Sequence, residues 1–113
     1  MAQQGVFTLP ANINFGATAL ANAGFTQVIT VLVDGAVKAT FTGSGNEKPL
    51  GTHIINSGKG RVMVKVTANG KPSDMVSSQL VMANKLNFAL VGAEDSTDGD
   101  YNDGIVMLNW PLG

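Results

Sequence analysis

The segment Arg61–Ala68 (RVMVKVTA) constrains this chain most, because its apolar residues recur with a strict period of two. Val62, Val64, Val66 and Ala68 share one face of an extended strand, and Arg61, Met63, Lys65 and Thr67 share the other. A helix would scatter these valines around its circumference, so the segment is a half-buried strand. The same alternation returns in short runs along the chain. Val6–Leu9 is stopped by Pro10, and Ile13–Ala21 places Phe15, Ala17, Ala19 and Ala21 on one face. Gln27–Val33 leads through Asp34-Gly35, a two-residue hairpin signal, into Val37–Thr42. Gly43–Pro49 reads as a polar loop, Thr52–Ile55 as a short strand and Asn56–Gly60 as a turn. After the second hairpin signal, Asn69-Gly70, come Met75–Ala83, Leu86–Val91 and Gly104–Trp110. No segment carries a useful helical stripe. About nine strands with turns between them predict an all-β fold, an antiparallel β-sandwich forming one domain over residues 1–113.

Composition narrows the function. Charged residues are only 13% of the chain and hydrophobic residues 44%, which excludes a disordered polymer. Seven Lys and Arg against eight Asp and Glu give a net charge of −1, leaving no basic footprint for nucleic acid. Cys is absent and His53 is the single His, so disulfides, thiolate zinc sites, Cys nucleophiles and His-rich metal centres are excluded. The longest apolar runs, such as Val28–Val33, fall far short of the ~18 residues of a spanning helix, and no membrane insertion is expected. The opening MAQQGVFTLP has no basic residue ahead of an apolar core. It reads as lacking a signal peptide, so the chain is expected to be made in the cytoplasm, with non-classical export to the cell surface or medium left open.

Charge placement is the informative feature. Five of the eight acids (Glu94, Asp95, Asp98, Asp100, Asp103) fall within ten residues, in EDSTDGDYND. The remaining three acids (Asp34, Glu47, Asp74) face seven bases, a balance of +4. Carboxylates at that density repel one another unless a cation neutralises them. Apolar strands on both sides anchor the segment, unlike a solvated acidic tail. A hard cation taking oxygen ligands fits best, and calcium takes six to eight of them. Asp98, Asp100 and Asn102 begin like an EF-hand loop, but the sixth position is Asp103 instead of Gly and the twelfth is Asn109 instead of Glu. The flanks are strands as well. This is a calcium-type loop of another design, and the number of acids points to more than one ion.

EDSTDGDYND, the ending LNWPLG, the opening QGVFTLPANINFG and the stretch NGKPSD at Asn69–Asp74 together resemble the bacterial two-calcium fucose/mannose-binding lectins of the LecB type. The resemblance covers essentially the whole chain. It implies a nine-stranded Greek-key β-sandwich that binds one monosaccharide through two adjacent calcium ions. By position it implies calcium ligands at Asn22, Glu94, Asp98, Asp100, Asn102, Asp103 and Gly113. Asp95 matches the family's carboxylate that accepts a hydrogen bond from a sugar hydroxyl. The sugar would also meet Asn22, Ala23, Gly24, Glu94, Asp98, Asp100, Asp103 and Gly113. The carboxylate of Gly113 is implied to reach the site of a neighbouring subunit in a homo-oligomer, a dimer of dimers. Four side-chain carboxylates and one terminal carboxylate then stand against the four positive charges of two calcium ions, which would otherwise repel strongly. Selectivity would follow stereochemistry, since hydroxyls in the arrangement shared by L-fucose and D-mannose can bridge both ions.

Ala23-Gly24-Phe25 matches the family's specificity loop, where Ala at the first position is implied to favour mannose over fucose. Phe25 stands where a small or polar residue is expected, and Ser96 and Gly99 depart from the family's EDGTDxDYND. Mannose- or fucose-bearing glycans are therefore the expected partners. Two rival readings differ in class. Glu94 and Asp98 could be the carboxylate pair of a small glycoside hydrolase, although a sandwich of 11.7 kDa has little room for a deep cleft. Calcium could instead only stiffen a structural module. Of the other candidates, His53 has no nucleophile beside it, Trp110 reads as a core aromatic, Tyr101 as a packing pin for the acidic loop, and the five Met residues as core filling.

Overall fold

Strand β4 (Arg61–Ala68) occupies the residues whose alternation was clearest, with a burial pattern that alternates along its length. The computed structural model describes residues 4–94 and 101–112. Around β4 it sets β1 (Val6–Thr8), β2 (Asn14–Val33), β3 (Ala36–Asn56), β5 (Lys71–Pro72), β6 (Asp74–Met82), β7 (Leu86–Glu94) and β8 (Gly104–Trp110). The two hairpin signals are tight turns. Asp34 and Gly35 have φ of 52° and 84°, and Asn69 and Gly70 have 51° and 78°. Two successive left-handed residues give the turn whose twist matches the flanking strands.

Two expected pairs of strands are continuous, which brings the described strands to eight including the two-residue β5. Ile13–Ala21 and Gln27–Val33 run together as the 20-residue β2, and Val37–Thr42 and Thr52–Ile55 as the 21-residue β3. Gly43–Pro49, expected as a loop, is extended and pairs with the middle of β2. Backbone hydrogen bonds form whatever the polarity of the side chains, and register shifts near Ala19, Ala21, Ala23 and Val31 absorb the mismatch.

β2 belongs to two layers. Its first half pairs with β8, from Gly16↔Asn109 to Ala21↔Gly104, and its second half with β4, from Gln27↔Ala68 to Val33↔Val62. One layer continues β8-β7-β6 and the other β4-β1, with β3 beside β2 in both. Every pairing is antiparallel. The final strand therefore lies against one of the first, and the antiparallel sandwich closes between them. Phe15, Ala17 and Ala19 of one layer and Ile29, Val31 and Val64 of the other are fully buried in a single cluster. At the far end, Ser57 Oγ donates to the Pro10 carbonyl at 2.6 Å and accepts the Ile13 N–H at 3.0 Å, which fixes the Asn56–Gly60 turn.

Trp110 is buried in the core, as expected. His53 lies on the surface with its ring edge-on to Phe41 at 5.0 Å. The methionines differ from expectation. Met75 packs against the core, but Met63 and Met107 are half-buried and Met82 is exposed. Met63 and Met107 occupy the outward phase of strands whose inward phase belongs to valine and leucine. Replacing Phe15, which is fully buried, by Ala should destabilise the fold by ~3–5 kcal/mol in a denaturant melt. Val37→Ser, on the surface, should stay within about 0.5 kcal/mol of wild type.

Candidate functional site

The site lies at one end of the β2–β8–β7–β6 layer, and the register builds it. Ala21 pairs with Gly104, Gly104 with Ala93, and Ala93 with Met75. The next row contains Asn22, Asp103, Glu94 and Asp74, one from each strand or its extension. Backbone hydrogen bonds carry the ladder into this row. Asn22 N–H donates to the Asp103 carbonyl at 2.9 Å, and Asp103 N–H donates to the Ala93 carbonyl at 2.9 Å. β7 thus ends at Glu94, and β8 begins at Gly104, directly after Asp103.

Both carboxylates are buried, Glu94 at 4% exposure and Asp103 at 7%. Burying an ionised carboxylate is costly unless hydrogen bonds or a cation compensate it. One compensation for Glu94 is visible, since Tyr101 N–H donates to its Oε2 at 3.3 Å. Tyr101 has a left-handed φ of 54°, and its carbonyl oxygen rests directly over Gly92, where no side chain could fit. Tyr101 thus holds the segment through its main chain, and its side chain is half-buried.

Asn22 sits where β2 becomes irregular. Its Oδ1 accepts the Glu47 N–H at 2.6 Å, while its Nδ2 is buried without a hydrogen-bond partner among the described residues. Glu47 lies in the stretch expected to be a loop, and its support of Asn22 carried no sequence signal. Ala23 is half-buried and Gly24 exposed beside it. Asn102 is exposed, immediately before Asp103. The structure thus brings together Asn22, Ala23, Gly24, Glu94, Asn102 and Asp103. Asp95, Asp98, Asp100 and Gly113 lie outside the described residues. Among the described residues no three His, Asp or Glu side chains converge as a metal-binding group.

The donor set nevertheless suits a hard cation. Glu94 and Asp103 are buried carboxylates, and the Asn22 amide oxygen keeps a second lone pair beyond its bond to Glu47. The single His of the chain is at position 53, on β3, so no soft donor competes here. Gly92→Ala should drive a methyl group into the Tyr101 carbonyl. The expected result is ~1–3 kcal/mol of lost stability, the usual cost of overpacking. Faster hydrogen exchange at the Asp103 amide would show that the strain reaches the site, and unchanged exchange there would show that it does not.

Residues 7–112 match the family described as Fucose-binding lectin II (PA-IIL). Among solved structures, a high-affinity mannose-binding lectin from Ralstonia solanacearum is 67% identical with a TM-score of 0.98, covering 99% of this chain and all of that one. The Chromobacterium violaceum lectin CV2L, solved in complex with alpha-methyl-fucoside, is 63% identical with a TM-score of 0.97 and the same coverage. The C-terminal domain of the BC2L-C lectin from Burkholderia cenocepacia is 48% identical with a TM-score of 0.93, each chain covering all of the other. No match was found among curated proteins. Lectins bind sugars without transforming them, so the paired carboxylates do not make this chain a glycosidase. Across nearly its whole length, the chain belongs to the fucose-binding lectin II family.

Proposed function

We propose that this chain binds a mannose- or fucose-type monosaccharide, mannose favoured, in a calcium-dependent way. Asn22, Glu94, Asp98, Asp100, Asn102, Asp103 and Gly113 would hold two ions. The carrying observation is the row of Asn22, Asp103 and Glu94, with both carboxylates buried at the point where the acidic segment joins the sheet. A structural element that only needed charge for solubility would leave those groups in water. Bound calcium would supply open coordination positions for adjacent sugar hydroxyls.

The protein's part is to preorganise. Glu94 and Asp103 are fixed by β7 and β8, so little ordering of these two groups remains when a sugar arrives. The buried Asn22 Nδ2 is a donor left available for a ligand oxygen. Asp95 would accept a hydrogen bond from a sugar hydroxyl, and such charge-assisted bonds are roughly twice as strong as neutral ones. The similarity to one lectin named for mannose and another solved with a fucoside supports both sugars as ligands. Ala23 at the specificity loop favours mannose.

Assembly is part of the reading. The outer face of β6 and β7 exposes Val76, Leu80, Met82, Leu86 and Leu90, each by 39% or more. A continuous apolar face of this kind is suited to burial against a second copy of the chain. A dimer of dimers would let Gly113 complete the neighbour's site and would present several sites together, which raises avidity.

Calorimetric titration of the calcium-loaded protein with methyl mannoside and methyl fucoside should give saturable heats, stronger for mannoside. Chelation should abolish them, and Asp103→Asn should weaken binding at least about tenfold, the cost of one charge-assisted contact. Absence of heat from folded, calcium-bound protein would instead favour a module that calcium merely stiffens. Extending the C-terminus with a tag should weaken both calcium and sugar binding, and undiminished affinity would remove Gly113 from the site.

A further inference from the structure

Glu47 lies far from the acidic segment in sequence, and its exposed side chain carries no mark of a role. Its backbone does. Among the described residues, three that are neither Gly, Asn nor Asp have a left-handed φ: Glu47 at 48°, Ala83 at 53° and Tyr101 at 54°. Such residues enter that region at a cost and stay there only where the surrounding structure imposes it. Ala83 belongs to the turn between β6 and β7. The other two each donate their N–H to a side chain of the candidate site, Tyr101 to Glu94 Oε2 at 3.3 Å and Glu47 to Asn22 Oδ1 at 2.6 Å. We propose that Glu47 is a positioning residue for calcium and sugar binding, which acts on Asn22 through its main-chain N–H and not through its carboxylate. The proposal rests on the calcium-dependent reading above and adds a residue that reading does not use.

The register of β2 and β3 creates this donor. Ala21 pairs with Lys48 and Ala23 with Gly45, so the single residue Asn22 stands opposite two residues, Asn46 and Glu47. A bulge of this kind takes main-chain groups out of the ladder. The Asn22 side chain then accepts the Glu47 N–H in place of a backbone carbonyl. Both flanks of the bulge are anchored. Pro49 pairs with Leu20, its φ fixed by its ring. Leu50 packs against the core and covers Gly43, leaving no room there for a Cβ. Gly45, with φ of 129°, takes a conformation that suits glycine alone.

Asn22 is thereby held at two points. Its own N–H donates to the Asp103 carbonyl at 2.9 Å, which fixes its main chain. That bond leaves the side chain free to present either end of its amide to the site. The two ends are alike in shape and opposite in hydrogen-bonding character. A donor placed beside the amide selects its oxygen, and the Glu47 N–H is that donor. The buried Nδ2 is then assigned to the other direction. A ligand-binding amide oriented in advance needs little ordering when an ion or a sugar arrives.

A main-chain role predicts an order of variants that a charge or a side-chain contact would not give. Calcium titration of the metal-stripped protein by calorimetry should place Glu47→Gly and Glu47→Gln within about twofold of wild type, since glycine enters the left-handed region freely and glutamine keeps the shape. Glu47→Ile, whose branched side chain resists that region, should weaken calcium binding about tenfold, the loss expected of one bond that holds a ligand. On an Asn22→Ala background the isoleucine should cost less than about twofold more, because the bond it disturbs is already gone. Hydrogen exchange in metal-free protein reads the bond itself. The Glu47 amide should be protected in the wild type and exchange at least about tenfold faster in Asn22→Ala. Circular dichroism checks that every variant remains folded. Wild-type calcium affinity in the isoleucine variant, an equal loss in Glu47→Gln, or the same isoleucine loss with and without Asn22 would overturn the role and leave the calcium reading intact. No calcium binding by the wild type would overturn both.

Discussion

The structure depends on one strand serving two sheets. β2 gives its first half to β8 and its second half to β4, and the change of partner falls between Ala21 and Gln27. A strand pairing with different neighbours at its two ends must turn between them. The small and polar residues Asn22, Ala23 and Gly24 allow that turn. Because β2 bends there, its main chain leaves the regular ladder beside the end of β7 and β8. The irregularity needed to close the sandwich is thus the same irregularity that brings Asn22 to the carboxylates.

Burial and charge meet at that point. A sandwich hides its backbone ladder and inward side chains, and polar groups at its ends normally reach water. Here Glu94 and Asp103 are drawn inside the rim, and Tyr101 and Ala93 contribute main-chain bonds that hold their segment. Such rigidity has a thermodynamic use. Sugar hydroxyls compete with water poorly, so a lectin gains most by fixing its ligand-binding groups before the sugar arrives.

The fold was legible wherever side chains alternate. Arg61–Ala68 and Gly104–Trp110 match the strands to the residue, because their valines, leucine and tryptophan keep phase, with turns bounding the first and Pro111 following the second. The continuity of β2 and β3 was hidden. Residues 22–26 and 43–49 are small, polar or irregular in phase, and the backbone pairing that makes them strands leaves no trace in side-chain pattern. At the site, the acidic segment was conspicuous by charge alone. Asn22, some seventy residues earlier in the chain, was reached by resemblance and not by spacing. The contact of Glu47's amide with Asn22 was invisible, since it depends on irregular pairing of β2 and β3 placing distant residues together.

The pairing of Gly16–Ala21 with Gly104–Asn109 has a kinetic consequence. Contacts between the two ends of a chain close a large loop before they repay its entropy, and all-β folds dominated by them form slowly. The row of Asn22, Asp103 and Glu94 exists only after β8 has docked between β2 and β7. Until that docking, Asn22 and the two carboxylates lie far apart along the chain and no ladder holds them together. The row is therefore a late product of folding, and its intactness reports that β8 has docked.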